Sequence, residues 1–290
     1  MTIYSFEVRR HGRYHRCLSP QRYDPVNKRS LLRSTLALSV AAILSQGALA
    51  QDKPIKVGVT AGPHAQIMEQ VKKTAEKDGL KIQIVEFSDY VQPNAALSAG
   101  DLDANSYQHK PYLDAQVKDR GYKLVSAGYT VNFPIGLYSK KVKKLEDLKE
   151  GARFGIPNDP TNGGRVLLVL QDKGLIKLKD GAGLKATPLD VTSNPKKLKF
   201  VELDAAQLAR SLDDLDAAAI NTNFALSAGL NPKTDAIAQE SAKSPYVNII
   251  AVREADKDKP WVAKLVKAYH SDETRQFIET QFKGAVLAGW

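Results

Sequence analysis

Cysteine is almost missing from this chain of 290 residues: the only one is Cys17, so nothing beyond it can join a disulfide or offer a thiolate to a metal. Histidine is scarce as well. His64, His109 and His270 are the only histidines after residue 50, and none stands at the His-Glu-x-x-His spacing of a zinc protease. No Gly-x-Ser-x-Gly elbow and no Gly-x-x-x-x-Gly-Lys-Ser/Thr loop occurs, which removes common signatures of serine hydrolases and phosphate-cradling nucleotide folds. The apolar run from Leu36 to Leu44 is far shorter than the roughly 20 residues that span a bilayer.

Acidic residues are in short supply only at the start. The net charge of +10 resembles a nucleic-acid footprint, yet residues 1–50 hold eight Lys or Arg against two acids, and the rest of the chain carries only +4. No nucleic-acid partner is expected. Lys28, Arg29 and Arg33 precede the apolar run, and Ala48-Leu49-Ala50 follows it, the order of a cleavable secretory signal with its cut after Ala50. Residues 1–27 are a long polar preface to such a signal, and Val26 is a candidate alternative start. No cysteine follows the run, so the expected product is free in the periplasm and not lipid-anchored.

From Ile55 onward short β-rich runs alternate with helical patterns, the sequence form of an α/β protein with mostly parallel sheets. Strands are predicted at 55–59, 81–87, 123–127, 134–139, 153–156, 199–203, 217–220 and 248–252, and helices at 63–77, 110–118, 161–173, 205–212, 261–269 and 272–282. Asp101-Leu102-Asp103-Ala104 returns as Asp214-Leu215-Asp216-Ala217, each followed by an Asn, at 105 and 221. Four residues can match by chance. If the echo is real, it fits two lobes of similar topology that each send a strand end toward a shared cleft.

Three runs could carry chemistry. In Ile156 to Arg165, Asp159 can cap a helix with Pro160 in its first turn, leaving backbone N–H groups free for an anion. Asn162 and Arg165 share a helix face there, and the guanidinium fork matches a carboxylate. The alternative is a well-capped surface helix with a solvated Arg. Asp103 to Tyr112 gathers Tyr107, His109 and Tyr112, suited to an apolar or sulfur-bearing side chain, though a lone His is more often structural. Ala217 to Phe224 is a buried strand ending in amides, where Asn221 either meets a ligand or closes an Asx-turn. Tyr90 stands at a further strand-to-helix junction.

Together Asp89-Tyr90-Val91 with Pro93-Asn94, Gln108 to Asp114, Asp119 to Leu124, Pro157 to Asn162, Arg210 to Asp214 and Ser244 to Asn248 resemble the NlpA-type methionine-binding proteins of bacterial ABC importers. The likeness runs from about Lys56 to Trp290. It implies an α/β, two-lobed periplasmic-binding-protein fold (type II-like) whose lobes are joined by two crossovers near Tyr138 and Tyr246. Lobe 1 would be 51–138 with 246–290, and lobe 2 139–245, after a 1–50 leader.

The resemblance also implies a monomeric binding subunit, not an enzyme, with no cofactor and no metal. It would take an amino acid, methionine favoured, and deliver it to an ABC permease and through it to the ATPase subunit. Carried over by motif, Arg165 and Asn162 would hold the ligand carboxylate and Asn221 its head group, while Tyr90, Tyr107 and His109 would line the side-chain pocket. Tyr107 stands where the family usually has Phe. A buried hydroxyl needs a partner, so a substrate more polar than methionine is expected from that position. The competing readings are a methionine-containing dipeptide or another amino acid as ligand, an enzyme using His109 as base near Asp103, and a metal-binding subunit using His64 and His109.

Overall fold

The computed structural model describes residues 53–290, so the leader and signal readings lie outside it. Along the chain, β1 (Ile55–Thr60), α1 (Pro63–Lys77), β2 (Ile82–Phe87), α2 (Gln92–Ala99), β3 (Ala104–Asn105), α3 (Lys110–Arg120) and β4 (Leu124–Asn132) come first. Then follow β5 (Gly136–Tyr138), β6 (Arg153–Pro157), α4 (Asn162–Asp172), β7 (Lys177–Leu178), β8 (Val191–Ser193), β9 (Lys199–Leu203), β10 (Ala217–Ile220), α5 (Thr222–Ser227) and β11 (Ala236–Gln239). The chain ends with β12 (Val247–Arg253), α6 (Pro260–Tyr269), α7 (Asp272–Phe282) and β13 (Leu287–Ala288).

Two large sheets result, ordered β13-β4-β12-β3-β1-β2 and β11-β5-β10-β6-β9, and β7 pairs with β8 in a separate antiparallel one. Each large sheet is parallel only on one side. β2, β1 and β3 run parallel, as do β9, β6 and β10, and the remaining pairings are antiparallel. The expectation of mostly parallel sheets is corrected accordingly, because strands that return from the other sheet or from a chain end enter the opposite way. The chain passes between the sheets through Phe133–Ile135 and again through Glu240–Tyr246. Tyr138, expected at the first crossover, pairs instead with Ala218 and Ala236 inside the second sheet.

Helix α1 shows how the pattern becomes packing. Ile67, Val71 and Ala75 recur four apart and are fully buried against Val57 and Val59 of β1, with Pro63 opening the first turn and Gly79, at φ 73°, just beyond the last. Ile67 and Val71 each contribute roughly 1.5–3 kcal/mol by leaving water. A second core, built from Phe154, Ile156, Val166, Leu167 and Leu170, lies under β6 and α4. The predicted helix at 205–212 is absent. Leu208 and Leu212 are buried at helical spacing, but Gln207 and Arg210 donate to carbonyls three residues back, so the chain winds as successive turns into a short 3-10 stretch at Arg210–Asp213.

The sequence echo is a repeated joint. Asp103 accepts the Lys56 N–H at 2.8 Å through its carboxylate and donates its own N–H to the Lys56 carbonyl at 2.8 Å. Asp216 treats Arg153 identically, at 2.7 and 2.9 Å. Beside each Asp a leucine is buried over a glycine. A Cβ on Gly58 would lie 2.5 Å from Leu102, and one on Gly155 2.6 Å from Leu215. Both clips sit where parallel strands begin, away from their carboxyl ends.

Candidate functional site

The carboxyl ends of β1, β2, β3, β6 and β10 converge on one cleft, the position where open α/β sheets bind ligands. Its space of about 350 Å³, part of which is open to solvent, is walled by His64, Tyr90, Tyr107, Gln108, His109, Tyr112, Phe133, Asn162, Arg165, Asn221, Asn223 and Asn248. All six residues singled out in the sequence lie on this wall.

Arg165 is buried on α4, and two of its three nitrogens are already used. Its Nε donates to Glu240 Oε1 at 3.0 Å, while Nη2 donates to Glu240 Oε2 and, at 2.9 Å, to the Phe133 carbonyl. The guanidinium carbon rests 4.4 Å over the Tyr246 ring. Only Nη1 makes no hydrogen bond among the described residues, and the Nε–Nη2 edge that could grip a carboxylate with two prongs already holds Glu240.

Nor is the start of α4 open to an anion. The Asp159 carboxylate accepts the N–H groups of Thr161 and Asn162 at 3.2 and 2.8 Å, and the helix begins two residues later than a cap at Asp159 would place it. The two glycines make room for the chain itself. A Cβ on Gly163 would stand 2.8 Å from the Pro157 carbonyl, and one on Gly164 2.5 Å from that of Leu184.

Asn162 bridges the cleft. Its Oδ1 contacts His109 Nε2 at 3.3 Å and accepts from Asn221 Nδ2 at 3.0 Å, and its Nδ2 donates to Asp159 at 2.9 Å. His109 caps α3 by accepting the Tyr112 N–H on Nδ1 at 3.1 Å, which puts its proton on Nε2. Burial, aided by the positive charge of Arg165, pushes its pKa down to about 3. His64 is lowered by burial to about the same value; its ring packs 4.7 Å from Phe133, and its Nδ1 has no partner. Both imidazoles are neutral at pH 7.

One end of the cleft is aromatic. Tyr90, Tyr107 and Tyr112 lie 5.9–6.4 Å apart, and Tyr90 packs 4.9 Å from Phe224. The hydroxyls of Tyr107 and Tyr112 both donate to the Tyr90 carbonyl, at 3.1 and 3.0 Å, and the Tyr90 hydroxyl donates to Asn223 Oδ1 at 2.6 Å. The Tyr107 hydroxyl is therefore satisfied within the protein, and the case it made for a more polar substrate falls. Two other buried groups have no partner here: Asn221 Oδ1 and Asn223 Nδ2. Asn105, whose strand end the sequence echo sends toward the cleft, bonds Asn94 and the Pro93 carbonyl and is not on the wall.

With this geometry in hand, the family described as NlpA lipoprotein matches residues 55–290. The chain belongs to that family. D-methionine-binding lipoprotein MetQ of Salmonella typhimurium is 53% identical over 262 residues, covering 87% of this chain and 97% of the relative. The protein of the same name in Escherichia coli K12 is 55% identical over 239 residues, 81% of this chain and 88% of its own. A solved nutrient binding protein from Burkholderia cenocepacia bound to methionine is 62% identical, with a TM-score of 0.80 over 81% of this chain and all of that one. The fold is accordingly the two-lobed one of that methionine-bound structure.

These relatives correct the expected localisation. The family and its members are named lipoproteins, which supports a lipid-anchored protein where the sequence argument expected a free periplasmic one. That argument rested on a missing cysteine at one assumed junction, within residues the structure does not describe.

Sequence reasoning passed over Glu240, Phe133 and Asn248 as site residues, gave Asn223 no role within the Ala217–Phe224 run, took Tyr246 only as a crossover, and weighed His64 only as a metal ligand. Asn248 and Tyr246 lie within one of the motifs that carried the resemblance, so their signal was present. Glu240, in a run of small and polar residues, offers none locally. Among the described residues no three His, Cys, Asp or Glu side chains are grouped to hold a metal, and no helix is long and apolar enough to cross a membrane.

Proposed function

We propose that this protein is the substrate-binding subunit of an ABC importer, taking methionine into the cleft and delivering it to a membrane permease and, through that, to its ATPase. The observation that carries the reading is a set of uncommitted polar atoms of opposite character on one wall. Arg165 Nη1 and Asn223 Nδ2 are donors for a carboxylate, and Asn221 Oδ1 is an acceptor for an ammonium. They face a chamber of tyrosines suited to a thioether. In this reading Arg165 and Asn221 contact the head group, Asn162 holds His109 and Asn221 in place, and Tyr90, Tyr107 and His109 shape the side-chain chamber.

The protein works as a monomer whose lobes, one around each sheet, close on the ligand by bending at Phe133–Ile135 and Glu240–Tyr246. It binds and does not catalyse. The Nδ1 lone pair of His109 is committed to Tyr112, and Asp103, its supposed partner, is clipped to Lys56 at the opposite end of β3. A thermal-shift panel on the purified protein with L-methionine, D-methionine, methionine dipeptides and other amino acids tests the assignment, since a bound ligand raises stability by mass action. Methionine should give the largest shift. A panel in which no methionine compound shifts the melting temperature overturns the reading.

A further inference from the structure

Glu240 is the least expected member of this site. It lies in the second connecting segment, where its N–H donates to the Ile135 carbonyl at 3.0 Å and its Oε2 accepts the Ile135 N–H at 3.1 Å. Both crossovers are stitched at that point. From there both carboxylate oxygens hold Arg165, and both side chains are almost fully buried, at 3% and 5% exposed. The guanidinium is thus fixed on one edge, stacked on Tyr246 and presented to the cleft by Nη1 alone. Its charge is also cancelled. The two neighbouring imidazoles are neutral, and the next carboxylate, Asp159, is bonded to Asn162 on the same wall.

We propose that Glu240 is the positioning and specificity-determining residue of the cleft, making it a receptor for a zwitterion and a poor receptor for the matching anion. A buried guanidinium without a counter-charge attracts any carboxylate, including 2-hydroxy and 2-oxo acids that have no ammonium. Once Glu240 offsets that charge, a ligand carboxylate gains one N–H bond from Arg165 and little net attraction. The ligand must then gain its affinity from a second group, an ammonium that can donate to the unpartnered Asn221 Oδ1. This rests on the amino-acid reading above and refines it.

Isothermal titration of the purified protein with methionine, its 2-hydroxy acid analogue and methioninol tests the idea. The wild type should bind methionine, bind the hydroxy acid far more weakly, and prefer the cationic methioninol over the anion. Glu240→Gln keeps the size of the side chain and an acceptor oxygen but removes the charge. In that variant the hydroxy acid should bind more tightly than in the wild type while methionine does not gain equally. With its counter-charge gone, Arg165 Nη1 offers the anion a bond from an uncompensated cation, so the ratio should move by at least roughly tenfold. Mere structural damage weakens both ligands together and leaves the ratio unmoved, and that outcome overturns the proposal. If Glu240→Gln does not fold, the wild-type order decides: a hydroxy acid that binds as tightly as methioninol overturns it as well. Failure of methionine itself to bind the wild type would instead remove the amino-acid reading, and this inference with it.

Discussion

Acid should weaken this protein well above the pH at which its carboxylates protonate, and the cause is the pair of buried histidines. His64 and His109 are held near a pKa of 3 by burial, whereas in an unfolded chain both titrate near 6.5. Between those values the unfolded chain binds more protons than the native one, so stability is complete above pH 6.5 and declines as the pH falls toward 3. At pH 5 each imidazole costs about 2 kcal/mol, and the two about 4 kcal/mol, a large share of the 5–15 kcal/mol typical of a domain. The carboxylates with lowered pKa values, such as Asp190 and Asp216, are still ionised in both states at pH 5 and contribute little there. Protonating His109 also removes the acceptor that caps α3. Urea unfolding at pH 7 and pH 5 measures the loss. A His64→Gln/His109→Asn double variant, in which Asn can still cap the helix, should flatten the dependence. A wild type whose midpoint does not move between the two pH values, or a double variant with an unchanged slope, refutes the reasoning.

Three other outcomes follow from the geometry. Asn221→Ala removes the unpartnered acceptor and should weaken methionine binding by about 1–3 kcal/mol, measured by titration calorimetry. Tyr107→Phe deletes one of two hydroxyls sharing the Tyr90 carbonyl. It should cost about 1 kcal/mol of stability or less in urea and leave the ranking of ligands unchanged. Asp216→Ala opens the clip to Arg153 and should lower stability by about 1–2 kcal/mol while the affinity for methionine stays at the wild-type value.

Periodicity and end signals carried much of the fold. The bounds of α1 and α7 and of β9 and β10 agree with the patterns read from the chain, because their apolar spacing, caps and breakers point the same way. What escaped were elements whose existence depends on distant partners. The two-residue β3 is a strand only because β1 and β12 flank it, and α2 and α5 are too short to show a stripe. In the site, residue types and positions were legible and commitments were not. Arg165 looked like a free fork until Glu240, 75 positions away, filled it. Tyr107 looked like a hydroxyl in search of a ligand until the Tyr90 carbonyl met it.

The paired aspartate clips set apart two kinds of change the molecule can tolerate. Both anchor the starting ends of parallel strands, and the cleft is built from their finishing ends, so footing and rim are separate regions of each lobe. The same plug, Asp-Leu-Asp-Ala, fits the same socket in both lobes, a backbone edge with a glycine beneath the leucine. The rim in turn can be redrawn for a new ligand while the footing carries the load of keeping each sheet in register.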